Sequence, residues 1–272
     1  MEKYSVLMSL YKKEHPEYLR QALDSMVGQT EQPDEIVLVE DGPLTDELYG
    51  IVDEYKKAYP HLMHIVVSKE NVGLGAALNK GLKACRNEFV ARMDTDDISK
   101  PDRCEKQLKR FAEKPGLSIV GSHIDEFTGS PENVISQRKV PTAYEDIYEF
   151  AKRRSAFNHP AVMYRRSAVV RNKGYRRLRR NQDVDLFGRM LYAGEKAENI
   201  DEALLYFRSS DELSRRRRSW ENTWSYIAVI GGFWKMGYSS FADYAAVAIA
   251  QTGMYLMPVG LQNWVYKTFL RK

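Results

Sequence analysis

Short apolar runs alternate with amphipathic stretches along the first 115 residues. Ser5–Leu10 (SVLMSL), Glu35–Val39 (EIVLV), His64–Val67 and Phe89–Met93 read as buried strands. Between them, Pro16–Val27 carries Leu19, Ala22, Leu23 and Met26 at helical spacing. Asp46–Tyr59, Asn71–Cys85 (with a glycine-rich entrance) and Pro101–Lys114 are further predicted helices, and Pro33 and Pro60 mark two stops. Such alternation predicts a mostly parallel sheet covered on both faces, with ligands bound outside the carboxyl ends of its strands. After residue 115 the pattern is mixed. Strands are predicted over Ser118–Phe127, Ala161–Tyr164 and Ala203–Arg208, and helices over Thr142–Lys152 and Asp183–Tyr192. From Trp220 onward aromatic residues and methionine become dense and charges sparse, which predicts two or three more helices.

At 272 residues the chain is long enough for one large α/β domain with an appendage. Its 43% hydrophobic and 29% charged content is that of a folded protein. The net charge of +4 is concentrated late in the chain, in Arg176, Arg177, Arg179 and Arg180 and again in Arg215, Arg216, Arg217 and Arg218. These runs are either a solvated face or an anion-binding edge. Cys85 and Cys104 have no metal-type spacing, and no long apolar stretch opens the chain, so reduced thiols in a cytoplasmic protein are expected. No uninterrupted apolar run reaches about 18 residues; the nearest, from Tyr244 to Leu261, contains Gln251, Thr252, Gly253 and Pro258.

Acids fall at two of the predicted strand ends. Asp94-Thr95-Asp96-Asp97 can hold a hard divalent cation that neutralises a departing diphosphate, or can form a turn in which Asp97 or Ser99 caps the helix before Pro101. Asp41-Gly42 is either a simple turn or an acceptor for a uracil N–H or a ribose hydroxyl. Asp183 begins a predicted helix, where an acid either complements the helix dipole or serves as general base to an acceptor hydroxyl. Arg92 reads as a donor-phosphate contact or a structural ion pair, and His159 as a turn histidine or a contact beside the base. Asn71, Gly73 and Gly75 read as a glycine-rich phosphate loop or as close strand–helix packing, and the missing GxGxxG spacing favours packing.

The order of the motifs carries more than any one of them. SVLMSLYK, Gln29-Thr30, VLVEDG, NVGLGAALNKGL, FVARMDTDDISKPDR, FNHPAVMYRRSAV and QDVDLFGRMLYAG follow one another over residues 3 to 210. This resembles the family 2 glycosyltransferases, and within them the bacterial enzymes of capsule, exopolysaccharide and O-antigen synthesis. The resemblance implies a GT-A fold, with a Rossmann-like nucleotide-binding half and a mixed central sheet. It implies an inverting, metal-dependent hexosyltransferase that moves one sugar from a nucleotide-sugar, by family habit a UDP-sugar, to a glycan on undecaprenyl diphosphate. Asp41 then matches the base-contacting acid, Asp94, Asp96 and Asp97 the Mn2+- or Mg2+-binding signature, and Asp183 the catalytic base. Arg92, His159 and Arg215 are further candidate donor contacts. Two positions depart from the family pattern: Glu40 stands where a first Asp is common, and Gln182 where a Glu is common. The processive members' Gln-x-x-Arg-Trp motif is absent, which points to distributive transfer.

The expected organisation is a catalytic domain over 1–212, divided into a nucleotide-sugar half (1–115) and an acceptor half (116–212), and a helical extension over 213–272. All 4 tryptophans, Trp220, Trp224, Trp234 and Trp264, lie in that extension, beside Lys267, Arg271 and Lys272. It is read as packed helices or as an interfacial anchor on an anionic inner membrane surface, with the aromatic content favouring the anchor. Two other functions compete. A sugar-phosphate nucleotidylyltransferase would open with a glycine-rich loop, whereas LYKKEHPE follows the first strand. A non-catalytic membrane- or nucleic-acid-binding module would not need acids at two strand ends plus Asp183, so no nucleic-acid partner is expected.

Overall fold

The computed structural model describes residues 2–209 and 219–257. The first half runs β1 (Tyr4–Leu10), α1 (Pro16–Val27), β2 (Glu35–Asp41), α2 (Asp46–Ala58), β3 (Met63–Ser68), α3 (Leu74–Ala84), β4 (Phe89–Arg92), β5 (Ile98–Ser99) and α4 (Arg103–Glu113). The second runs β6 (Leu117–Phe127), β7 (Val134–Arg138), α5 (Tyr144–Ala151), a 3-10 turn (His159–Ala161), β8 (Met163–Arg165), α6 (Arg166–Arg171), α7 (Gln182–Tyr192) and β9 (Lys196–Arg208). Two further helices follow, α8 (Trp220–Lys235) and α9 (Phe241–Leu256).

The described strands form one nine-stranded sheet in the order β3-β2-β1-β4-β8-β6-β9-β5, with β7 on β6. β3, β2, β1 and β4 are mutually parallel; β8 runs antiparallel to β4 and to β6, and β9 parallel to β6. β1 shows why its sequence is continuously apolar. Leu7 packs towards α3, in the cluster of Val37, Val39, Ala77 and Leu78. Val6 and Met8 point the other way, into Leu19 and Leu23 of α1 and Leu108 of α4. A strand buried on both faces has no side for polar residues.

The alternation expected for the first half is present, and several elements along the chain differ from expectation. β5 and β7 were not predicted: one has two residues and the other is polar on an outer position of the sheet. β9 begins at Lys196 instead of Ala203, because its polar first half pairs with β6 from Leu117 onward. α3 begins at Leu74, since Asn71–Gly73 form a turn that serves Asp41. α4 begins at Arg103, so neither Asp97 nor Ser99 caps it.

The α8–α9 hairpin docks on α7. The tip of the Phe233 ring abuts Gly188, where a Cβ would come within 2.1 Å of it. α9 starts with a reciprocal cap between Ser240 and Asp243, and Asp243 also pairs with Arg153 at 2.8 Å. Among the described residues no helix is long and apolar enough to cross a membrane. Gly188→Ala is expected to cost about 1–3 kcal/mol through overpacking against Phe233. Urea unfolding measures this, and a midpoint equal to wild type would mean that the hairpin moves aside freely.

Candidate active site

The carboxyl ends of β1, β2 and β4 open onto a cleft of about 890 Å³. Asp41, Arg92, Asp94, Asp96, His159 and Asp183 all line it, so the fold brings together residues spread over more than half the chain. Asp97 lies just behind this wall, fully buried. Arg215 lies outside the described residues.

The acidic turn follows β4. Ligand oxygens of Asp94, Asp96 and Asp97 lie within 4.8 Å of one another. Behind them Arg92 is 1% exposed and ion-paired with Asp94. Arg103, also enclosed, donates to the carbonyl oxygens of Arg92 (2.6 Å) and Val162 (3.2 Å). Asp97 Oδ1 accepts the backbone N–H of Arg208 at 2.8 Å, which ties the turn to the end of β9. The Arg208 side chain donates to the Asp96 carbonyl (2.8 Å) and to Gln21 (2.6 Å) and stacks over Tyr18. Thr95 donates to Glu14 at 2.6 Å.

This turn is electrostatically overcrowded. Burial, then the neighbouring Asp94 and Glu14, push the Asp96 carboxyl up to about 7. Burial and the same cluster push Asp97 well above the usual carboxylate range. Asp97 Oδ2 is buried with no hydrogen-bond partner among the described residues, and so are Nε and Nη1 of Arg92. Converging carboxylate oxygens, one of them orphaned, fit a divalent cation with oxygen ligands.

Asp41 closes the neighbouring wall. Its Oδ1 accepts from Val72 N–H (2.7 Å), its Oδ2 from Gly73 N–H (3.1 Å), and its carbonyl from Asn71 Nδ2 (3.1 Å). Gly42 sits at φ +88°, and a Cβ there would stand 2.8 Å from Asn71 N. The turn is therefore real, and each carboxylate oxygen keeps a lone pair for a ligand.

Asp183 occupies the first turn of α7, behind Asn181 in the left-handed region at φ +57°. Burial raises its pKa, against backbone N–H groups at the helix start and the more distant Arg92 and Arg138, which lower it. Its neighbour Asp185 is engaged by Arg176 (3.1 Å) and Arg189 (2.8 Å), which leaves Asp183 as the helix's acid on the cleft. His159 Nε2 lies 2.9 Å from the Tyr175 hydroxyl, its ring against Phe187. Burial, then Arg92, hold it well below the ordinary histidine pKa, so it is neutral.

Several contributors carried no sequence signal. Glu14, Tyr18 and Arg208 sit where nothing in spacing or composition singles them out. The motif glutamine Gln29 proves to be a buried lock, bonded to Lys100 O (2.8 Å) and Cys104 N (3.0 Å).

Without a divalent ion, the raised Asp96 carboxyl lowers stability. Between pH 3.8 and about 7 the unfolded chain releases this proton and the folded chain keeps it, so the cost grows with pH and levels off above 7. Asp96→Asn is therefore expected to raise Tm by several degrees at pH 8 in EDTA and to leave it nearly unchanged at pH 4. An equal shift at both pH values, read by thermal unfolding, would contradict this.

Comparison with known proteins gives the arrangement a family. The family model described as "Glycosyl transferase family 2" matches residues 5–179. The chain is 37% identical over 270 residues to an uncharacterized glycosyltransferase of Haemophilus influenzae, covering 99% of this chain and 100% of that one. It is 33% identical over 270 residues to the UDP-Gal:alpha-D-GlcNAc-diphosphoundecaprenol beta-1,3-galactosyltransferase of Escherichia coli, covering 99% and 97%. A mannosyltransferase from Pyrobaculum calidifontis, solved with GDP-Man and Mn2+, superposes with a TM-score of 0.64 at 15% identity, over 98% of this chain and 79% of that one. At that identity it shares the GT-A fold. The acids at the sheet's carboxyl edge thus sit in a glycosyltransferase frame, and the chain belongs to glycosyltransferase family 2.

Proposed function

We propose that the chain transfers one sugar, with inversion, from a UDP-sugar to a hydroxyl of a lipid-diphosphate-linked glycan. The observation that carries this reading is the convergence, on one cleft, of the Asp94-Asp96-Asp97 cluster with Arg92 and of Asp183. A Mn2+ or Mg2+ ion held by Asp94, Asp96 and Asp97 would offset the charge of the donor diphosphate and of the leaving nucleoside diphosphate.

The remaining chemistry belongs to this chain's side chains. Asp41 accepts from the nucleoside with its free lone pairs. Arg92, which lines the cleft and has two nitrogens with no partner among the described residues, would supply positive charge to the donor phosphates. Asp183 accepts the proton of the acceptor hydroxyl as that oxygen bonds to the anomeric carbon and the bond from that carbon to the phosphate oxygen breaks. Its raised pKa makes it a stronger base than a solvated aspartate. His159, being neutral, offers a hydrogen bond without competing for the role of counter-charge. The name of the Escherichia coli relative supports both a UDP-sugar donor and a diphosphoundecaprenol acceptor.

A lipid acceptor calls for a place at a cytoplasmic membrane surface. Trp220, Trp224, Trp234, Phe241, Ile249 and Leu256 are all more than a third exposed on the α8–α9 hairpin, a face suited to the headgroup boundary. Trp264 and the basic residues after it lie outside the described residues.

The deciding experiment is thermal shift with a panel of nucleoside diphosphates and UDP-sugars, with and without Mn2+. UDP stabilisation that needs Mn2+, is lost in Asp96→Ala and survives in Asp183→Ala is expected. Asp183→Asn should lower kcat by roughly 10²–10⁴ with little change in donor KM. No shift with any nucleotide at any metal concentration would end the donor-site reading.

A further inference from the structure

The segment leading into α7 carries Arg176, Arg177, Arg179 and Arg180, and Arg179 and Arg180 line the same cleft as Asp183. The C-terminal hairpin holds this segment. Arg179 Nη1 lies 3.0 Å from Glu221 Oε1, Ser225 Oγ donates to the Arg180 carbonyl at 2.8 Å, and Asn181 Nδ2 donates to the Asn222 carbonyl at 3.3 Å. All three partners lie in the first turns of α8, on the helix that also carries Trp220 and Trp224. Those two indoles stack on each other and are 48% and 59% exposed, and Trp220 also leans on Tyr255 of α9.

One end of this feature is cationic and faces the base; the other is aromatic and faces solvent. The donor diphosphate already has its counter-charges, in Arg92 and in the cation that the acidic turn fits. Two more arginines stand on the same cleft, one of them held only by the exposed Glu221, and together they suit a second anion. Arg176 is not part of the pair, since Asp185 holds it. Building on the glycosyltransferase reading above, we infer that Arg179 and Arg180 bind the diphosphate of a polyprenyl-diphosphate-linked acceptor, while Trp220, Trp224 and Tyr255 carry the first isoprene units away from the cleft.

The physical case has three parts. A guanidinium offers a planar fork that matches phosphate oxygens in pairs. The Arg179–Glu221 pair is exposed, and exposed pairs contribute little in water, so Arg179 can exchange Glu221 for a phosphate at small cost. The left-handed Asn181, tied to α8, fixes the spacing between these arginines and Asp183, so a bound diphosphate delivers its attached sugar beside the base.

Farnesyl diphosphate, farnesyl phosphate and farnesol, titrated calorimetrically onto the full chain with and without saturating UDP and Mn2+, test this directly. With the donor site filled, farnesyl diphosphate is expected to bind most tightly and farnesol least. Arg179→Ala/Arg180→Ala should weaken farnesyl diphosphate about tenfold or more, to the level of farnesol, with UDP affinity unchanged and with part of the loss restored by lysine at both positions. Trp220→Ala/Trp224→Ala should weaken all three ligands alike. The same arginines facing lipid headgroups would behave differently: the double arginine variant would lose retention on phosphatidylglycerol vesicles and keep farnesyl diphosphate, which overturns the inference. Equal farnesyl diphosphate affinity in wild type and variant also overturns it. If UDP does not bind wild type, the glycosyltransferase reading falls by that measurement, and the titration without UDP still reports whether the arginines hold a diphosphate.

Discussion

Three carboxylates share one turn at the end of β4, and the architecture of the cleft depends on how that crowding is tolerated. Arg92 and Arg103 supply buried positive charge directly behind the turn. A buried charge without a partner is strongly destabilising, so enclosed Arg92 without Asp94 would be costlier than the intact pair. The compensation is incomplete, since Asp96 and Asp97 keep raised pKa values. A protein that holds acids in this condition is set up to trade protons for a cation. Stability is given up where negative charge is concentrated on the cleft.

The two halves of the chain meet at this turn. β9 runs from the far side of the sheet to the cleft and ends at Arg208, whose backbone N–H fixes Asp97 and whose side chain reaches Gln21 of α1. The acidic edge of the cleft is thus completed by the strand that follows the helix carrying Asp183. Similarly, the loop before α7 is held by α8, so Asp183 and the hairpin share supports.

The sequence made the first half legible because strands buried on both faces are written as unbroken apolar runs, such as EIVLV, and because Pro16, Pro33 and Pro60 mark boundaries. It also made the acids legible, since Asp41, Asp94, Asp96 and Asp183 recur in a recognisable order and do meet on one cleft. What it concealed has physical reasons. Arginine usually signals solvent, so the enclosure of Arg92 and Arg103 runs against composition. Polar stretches such as KAENIDE gave no strand period, yet pair with β6. Asp97 looked like a helix cap because Pro101 follows it, and instead its partner is more than a hundred residues away. Long-range pairing of this kind leaves no local trace.

The bond from Asn181 to α8 has a consequence for how such enzymes diversify. A change that altered only the arginine loop would break its contacts with Glu221, Asn222 and Ser225, and a change of the helix alone would release the loop next to Asp183. The two segments form a single exchangeable cassette, so recombination between relatives should preserve activity when the crossover falls before Arg176 and lose it when it falls between Asn181 and Ser219.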